Sequence, residues 1–368
     1  MRLILDSHLD LAWNALTWKR DLTLDLAEIN DREAGVVDDP ARGGATVSLP
    51  QMRHGGVAVC LATVMARVPY AGHASVHTNT LDYPSHDIAH AVAQGHLSYY
   101  QCLEERNEIA LIQTPSQLRQ HWNRWRAAND DLRGSLPIGV IVAMEGCDAI
   151  VEPVHTERWF KAGLRCASLV HYGRSAYAVG TGDDGPLTPA GRELLKAFDR
   201  CGIILDVTHL CDTSFFEAIE IFHGPIHASH QNCRAVVPGD RQFTDEQIKL
   251  VIQRGGVLGV ACDAWMLYPH WKRSCRAEEM TPRHVVTMQA LVDHIDHICQ
   301  LAGDSRHVAI GSDLDGGFGR EQTPAGLDTI ADLQKLASIL SDRGYKDDAI
   351  DAVFHGNWLR FFTEHLPP

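Results

Sequence analysis

Eight short apolar runs, each followed by a stretch of helical periodicity, constrain this 368-residue chain more than any other feature. They occupy residues 2–6, 56–65, 137–144, 165–170, 202–208, 225–229, 256–262 and 307–311. The runs are short, rich in β-branched residues and nearly continuous, as strands buried on both faces must be. Helical patterns fill the gaps near 86–109, 188–200, 213–222, 245–254 and 282–302. The first of these places Ile88, Val92, His96, Tyr99 and Leu103 on one face. Thr188-Pro189 and Thr281-Pro282 each read as an N-cap followed by proline at the first helical position. Thr244 and Gln247 have the spacing of a capping box, and 347–361 reads as a final helix.

Eight strands alternating with helices predict one α/β domain over 1–368, a (β/α)8 barrel of the TIM type. A doubly wound open sheet is the main competitor, but the glycine-rich fingerprint expected after its first strand is absent. Three long connections are expected to shape a pocket over the barrel mouth. They are 30–55, 66–85 (with Tyr70 and Tyr83) and 263–281 (with Trp265, Tyr268 and Trp271).

Charge and composition narrow the partners. The formal charge of −14 disfavours nucleic acid, whose phosphates need a basic face, and an anionic membrane surface. No segment approaches the roughly 20 apolar residues that span a bilayer. The first residues reach Asp6 too soon for a signal peptide, and 363–368 lacks a hydrophobic anchor tail, so the cytoplasm is the expected compartment. Ten cysteines are scattered without a Cys-x-x-Cys pair and are read as buried, reduced thiols.

Six of the eight runs end in His, Asp or Glu. In a barrel these carboxyl ends converge on one face. His8 and Asp10 are two residues apart at the end of the first run, so they project to the same side. Glu145, His171, His209, His230 and Asp313 follow five later runs. These residue types suit two metal ions: His8 and Asp10 on the first, His209 and His230 on the second, and Glu145 bridging. Each ion keeps an open position for water, as in a catalytic site. Two divalent ions stabilise a bound hydroxide. Asp313 can take that water's proton and deliver it to a leaving amine, and His171 can hydrogen-bond an oxyanion.

Other candidates have blander readings. His54, His73, His77, His86, His90, His96, His121, His155, His284, His294 and His297 are expected on the surface or in helices. His227 faces away from His230 by alternation and is expected to be structural. Asp206 is expected to orient a ligand histidine. Asp315 rivals Asp313 but lies one pleat further into the loop. Arg174 is read as a solvated charge.

Together the residues resemble the membrane dipeptidase (renal dipeptidase) family, the M19 metallopeptidases of the amidohydrolase superfamily. The motifs that carry the resemblance begin with Asp-Ser-His-Leu-Asp at 6–10, Met-Glu-Gly at 144–146 and Leu-Thr-Pro at 187–189. They continue with Leu-Asp-Val-Thr-His at 205–209, Ala-Ser-His at 228–230, Gly-Ser-Asp-Leu-Asp-Gly at 311–316 and His-Gly-Asn-Trp-Leu-Arg at 355–360. The resemblance implies a zinc-dependent dipeptidase with two Zn2+ per chain, bridged by Glu145 and a hydroxide, on ligands His8, Asp10, Glu145, His209 and His230. It implies that His171 meets the scissile carbonyl, that Arg241 grips the substrate's terminal carboxylate and that Asp313 is the catalytic acid/base. It also implies a homodimer. The stretch from Tyr172 to Tyr177 departs from the Asn- and Cys-containing segment of mammalian members, and Tyr172 is expected to line the substrate cleft. Another amidohydrolase-type hydrolase (an amidase, lactonase or deaminase) and a non-catalytic metal-binding barrel stay open as alternatives.

Overall fold

The computed structural model describes residues 1–69, 81–274 and 279–368. Tyr70, His73, His77 and Cys275 lie outside the described residues. Among the described residues nine parallel strands form the centre: β1 (Ile4–Leu9), β2 (Val57–Val64), β3 (Ile109–Leu111), β4 (Ile138–Glu145), β5 (Leu164–Ser168), β6 (Ile204–Asp206), β7 (Ile226–His227), β8 (Leu258–Val260) and β9 (Val308–Ile310). Each of the eight predicted runs contains or overlaps one strand. Every residue of β1, β2 and β4 is buried, which is why β2 and most of β4 are apolar without alternation, whereas β1 turns polar from Asp6 as it approaches the site.

The ladder runs β1-β2-β4-β5-β6-β7, and a parallel bridge between Ala228 and Leu258 carries it to β8 and β9. Polar groups close the remaining seam between β9 and β1. Ser312 N–H donates to Asp6 Oδ1 (2.8 Å), and Ser7 Oγ donates to the Ile310 carbonyl (3.1 Å). The fold is therefore a (β/α)8 barrel. The three-residue β3 is an addition the sequence reading missed; it pairs with the start of β4 on the side where β5 takes over.

Several helix ends form as read. Thr188 caps Pro189–Cys201 through Gly191 N–H, and Thr244 and Gln247 form a capping box on Asp245–Gln253. Thr281-Pro282 does not start the predicted α-helix but precedes a single 3-10 turn, Arg283–Val285. The Thr281 hydroxyl accepts from Lys272 N–H (2.8 Å), Pro282 is extended, and the helix begins only at Gln289. The helix His86–Glu105 buries Ala89, Ala93, His96, Leu97, Tyr100 and Leu103 and leaves Ile88 exposed, so its inner face is rotated from the one read in the sequence. The final segment is Asp347–Asp351, a π turn and Asn357–His365. It docks on the barrel through Trp358 Nε1, which donates to the Ile310 carbonyl (2.9 Å).

His96, His121 and His294 lie in helices but are buried, each with one ring nitrogen on a backbone group. Six of the described cysteines are buried and none is in a disulfide, but Cys102 is exposed, because it lies off the inner face of its helix. Among the described residues no helix is long and apolar enough to cross a membrane.

Candidate metal centre

The ends of five strands bring the predicted residues together. His8 lies in β1 with Asp10 just beyond it, Glu145 ends β4, and His209, His230 and Asp313 each follow a strand by three residues. His8 Nε2 is 3.6 Å from Asp10 Oδ1 and 3.6 Å from Glu145 Oε2. The other Glu145 oxygen, Oε1, is 3.2 Å from His209 Nε2 and 3.4 Å from His230 Nε2. His209 and His230 bring their Nε2 atoms within 3.1 Å of each other.

These separations test whether the donors suit an ion. Four-coordinate zinc with bonds of about 2.0–2.1 Å spaces its nitrogen and oxygen ligands roughly 3.3–3.4 Å apart. The triangle of His209, His230 and Glu145 Oε1 has edges of 3.1, 3.2 and 3.4 Å, and the His8 pairings are slightly longer. Among the described residues the buried His8 Nε2 also has no hydrogen-bond partner. The donor set fits divalent cations, and Glu145 presents one oxygen to each histidine group.

Polar neighbours fix the rings. Ser229 Oγ lies 2.9 Å from His230 Nδ1 and 3.3 Å from His8 Nδ1, and Thr181 Oγ1 lies 3.1 Å from His209 Nδ1. Thr63 donates its hydroxyl to Asp10 Oδ1. Asp206 takes part indirectly: its Oδ1 accepts from the N–H groups of Thr208 and Ser229, each one residue before a site histidine. It thus positions backbone, not an imidazole as expected. Of these partners Ser229 lay inside a recognised motif, whereas Thr63 and Thr181 carried no signal that separates them from other threonines.

The electrostatics favour cations. Burial lowers the His8 pKa, but Glu145, Asp10 and Asp313 outweigh it and raise it to about 10. Burial, with Arg241 contributing, keeps His209 and His230 well below the usual imidazole range and therefore neutral. Burial and the Glu145 charge raise Asp10 to about 6. Burial likewise pushes Asp313 well above the ordinary carboxylate range, with Asp10 and Glu145 adding to the effect. His209 and Asp313 both adopt left-handed backbone (φ 68° and 57°), a strained choice for residues with a Cβ.

A cavity of about 650 Å³ opens over these groups. His171 and Tyr172 line it, with the His171 Nε2 3.8 Å from Glu145 Oε1 and the Tyr172 ring 5.1 Å from that of His209. Arg241 also lines it and is buried, not on the surface as arginines usually are. The 66–85 connection contributes Arg67, Val68, Leu81 and Asp82, and the 263–281 connection contributes Asp263, Trp265 and Arg273. Among the described residues the 30–55 connection does not line the cavity; Thr46 and Val47 instead hold Asp315 behind it. His227 lies away from the site, packed against Trp358, Phe361 and Phe362.

Fold and site together define a (β/α)8 barrel with a candidate cation-binding centre at its C-terminal mouth. The chain belongs to the membrane dipeptidase family (peptidase family M19), whose sequence profile matches residues 2–365. An uncharacterised protein from the pqqA 5′ region of Klebsiella pneumoniae is 32% identical over 182 residues, 49% of this chain and 62% of that one. The chain spans about half the length of other curated relatives it matches. Two solved structures share the fold. The dipeptidase AC, a metallopeptidase of family M19, aligns over 99% of both chains with a TM-score of 0.76 at 22% identity. A metallopeptidase from Rhodobacter sphaeroides, liganded with a phosphinate mimic of the dipeptide L-Ala-D-Ala, aligns over 100% of this chain and 99% of that one, with a TM-score of 0.75 at 24% identity.

Proposed function

We propose that this chain is a zinc-dependent dipeptidase that hydrolyses L,L or L,D dipeptides. One observation carries the reading beyond a generic metal-dependent hydrolase. Among the described residues four arginines line the cavity, and three are matched by carboxylates: Arg67 by Asp82, Arg174 by Asp183 and Arg273 by Asp263. Among the described residues the fourth, Arg241, is held by neutral acceptors, the Gln231 side chain and the His230 carbonyl. Its charge is left for a ligand, and a guanidinium fork suits a carboxylate.

His8 and Asp10 would hold one zinc ion and His209 and His230 the other, with Glu145 offering one carboxylate oxygen to each pair. When bound, the ions polarise the scissile carbonyl and make water a nucleophile near neutral pH. Arg241 fixes the substrate's terminal carboxylate, and His171 meets the carbonyl oxygen, with Tyr172 beside it. Asp313 takes a proton from the attacking water as the C–O bond forms. It returns that proton to the amine nitrogen as the C–N bond breaks. The Rhodobacter sphaeroides protein's ligand mimics an L,D dipeptide, which supports including that configuration here.

The test is an assay of the zinc-loaded chain on panels of L,L and L,D dipeptides, beside N-acyl amides and lactones. Faster hydrolysis of substrates with a free terminal carboxylate than of those without one is the expected result. Turnover of amides or lactones without any dipeptide hydrolysis would overturn the reading.

A further inference from the structure

Four histidines crowd the centre, and their Nδ1 neighbours divide them into two kinds. His8, His209 and His230 each have Nδ1 against a hydroxyl, from Ser229 or Thr181. A hydroxyl can accept a hydrogen bond, so these rings can keep their proton on Nδ1 and present the Nε2 lone pair to an ion. His171 differs. Its Nδ1 lies 3.1 Å from Nη1 of Arg67. A guanidinium has no acceptor and stays charged, so the ring nitrogen facing it must be the acceptor.

We propose that Arg67 sets the tautomer of His171, holding its proton on Nε2, and thereby makes it a hydrogen-bond donor to the substrate carbonyl and not a metal ligand. Distance alone does not decide this, because His171, Glu145 and His209 lie close enough together to hold an ion. The protonated Nε2 decides it: that nitrogen has no lone pair to give. The same atom faces Glu145 Oε1 across 3.8 Å at the cavity wall, where a carbonyl oxygen would meet it.

The guanidinium is itself positioned. Arg67 lies beyond β2, where its backbone makes an isolated bridge with Asp82 (Arg67 N–H to the Leu81 carbonyl and Tyr83 N–H to the Arg67 carbonyl, both 2.8 Å). Its Nε donates to Asp82 Oδ1 at 2.7 Å, which turns Nη1 towards His171. Arg67 is therefore a positioning residue that acts through His171.

The inference rests on the reading of His171 as the carbonyl-binding group, but its direct test does not need turnover. The full chain, labelled with 15N-histidine and loaded with zinc, is measured by long-range 1H–15N NMR, with the His171 signals assigned by their loss in His171→Asn. The expected pattern is a protonated Nε2 and a bare Nδ1. Arg67→Met should redistribute the proton between the two nitrogens, whereas Arg67→Lys, which also only donates, should restore the wild-type pattern. Arg67→Met should also lower kcat about 10²-fold, the usual loss for one oxyanion donor, with metal content unchanged. Asp82→Asn removes the ion pair and keeps the guanidinium, and it should leave the proton on Nε2. A protonated Nδ1 in the wild-type chain, or an unchanged tautomer in Arg67→Met, would overturn the proposal. Absence of dipeptide hydrolysis with the expected NMR pattern would instead count against the proposed function alone.

Discussion

Arg241 donates from Nη2 to the main-chain carbonyl of His230 at 2.9 Å. The group assigned to the substrate carboxylate is thus tied directly to a residue of the metal centre. Its second donor, Nη1 to Gln231 Oε1 at 2.8 Å, removes the remaining freedom of the fork. A bidentate carboxylate contact is worth about 2–4 kcal/mol by the usual strength of charged hydrogen bonds. Arg241→Ala is therefore expected to lower kcat/KM for dipeptides by about 10²-fold or more. The same variant should change little for dipeptide amides, which lack the carboxylate. Steady-state kinetics on matched dipeptide and amide pairs checks this, and equal losses on both would remove Arg241 from the assigned role.

Ser229 offers one hydroxyl to the Nδ1 atoms of both His8 and His230. Ser229→Ala should consequently weaken metal binding at both halves of the centre. Losses of about 10–100-fold in affinity are usual when such an orienting partner is removed. Zinc titration with a competing chelator measures the change. Metal also acts on stability, since binding to the folded state alone adds about 2.7 kcal/mol per site at a free concentration of 100 Kd. Thermal unfolding of wild type should therefore rise on zinc addition, and the Ser229→Ala rise should need more zinc to reach the same midpoint.

Two buried histidines outside the centre predict acid sensitivity. Burial lowers His96 to about 4 and His294 to about 3, against about 6.5 in the unfolded chain. The folded state resists protons that the unfolded state accepts. Their contribution is complete above pH 6.5 and is lost as pH falls towards 4 and 3, by up to about 1.4 kcal/mol per pH unit for each group. Asp148, which burial raises to about 6, opposes this trend, because its fold-dependent proton uptake favours the native state at lower pH. The histidine part is isolated by comparing metal-free wild type with His96→Gln in urea at pH 7.5 and pH 5. The variant should lose less stability between the two pH values.

The site was more legible in the sequence than the groups that hold it in place. Continuous apolar runs mark buried strands, and a charged residue at the end of such a run must turn out of the core, so His8, Glu145, His209 and His230 stood out together. Thr63 and Thr181 act through single hydroxyls, and neither composition nor spacing distinguishes such a hydroxyl from any other. Arg67 lies far from His171 in sequence, and only the folded chain brings them to 3.1 Å. The same limit explains β3, whose three residues give too little periodicity to read. It also explains Thr281-Pro282, where a local capping pattern yields to a tertiary bond from Lys272.

Asp313 and Asp315 were rivals by spacing, and the structure separates their surroundings. Asp315 accepts from Thr46 N–H (2.8 Å), Thr46 Oγ1 (2.7 Å) and Val47 N–H (3.0 Å), with Arg20 3.4 Å away. Both oxygens of its carboxylate thereby accept hydrogen bonds, and it does not line the cavity. Asp313 lines the cavity, and its Oδ1 is 3.9 Å from His8 Nε2. Asp315→Asn should therefore destabilise the fold by about 3 kcal/mol, the scale for breaking one side of a buried, charged network. Asp313→Asn should leave stability unchanged or slightly higher, because it removes a buried charge beside Asp10 and Glu145. Its cost should fall on kcat, by about 10²–10⁴-fold for loss of a proton-transfer group. Urea unfolding and single-turnover hydrolysis on both variants give a crossed result: one loses stability, the other chemistry. If Asp315→Asn instead abolished turnover at full stability while Asp313→Asn stayed active, the two assignments would have to be exchanged.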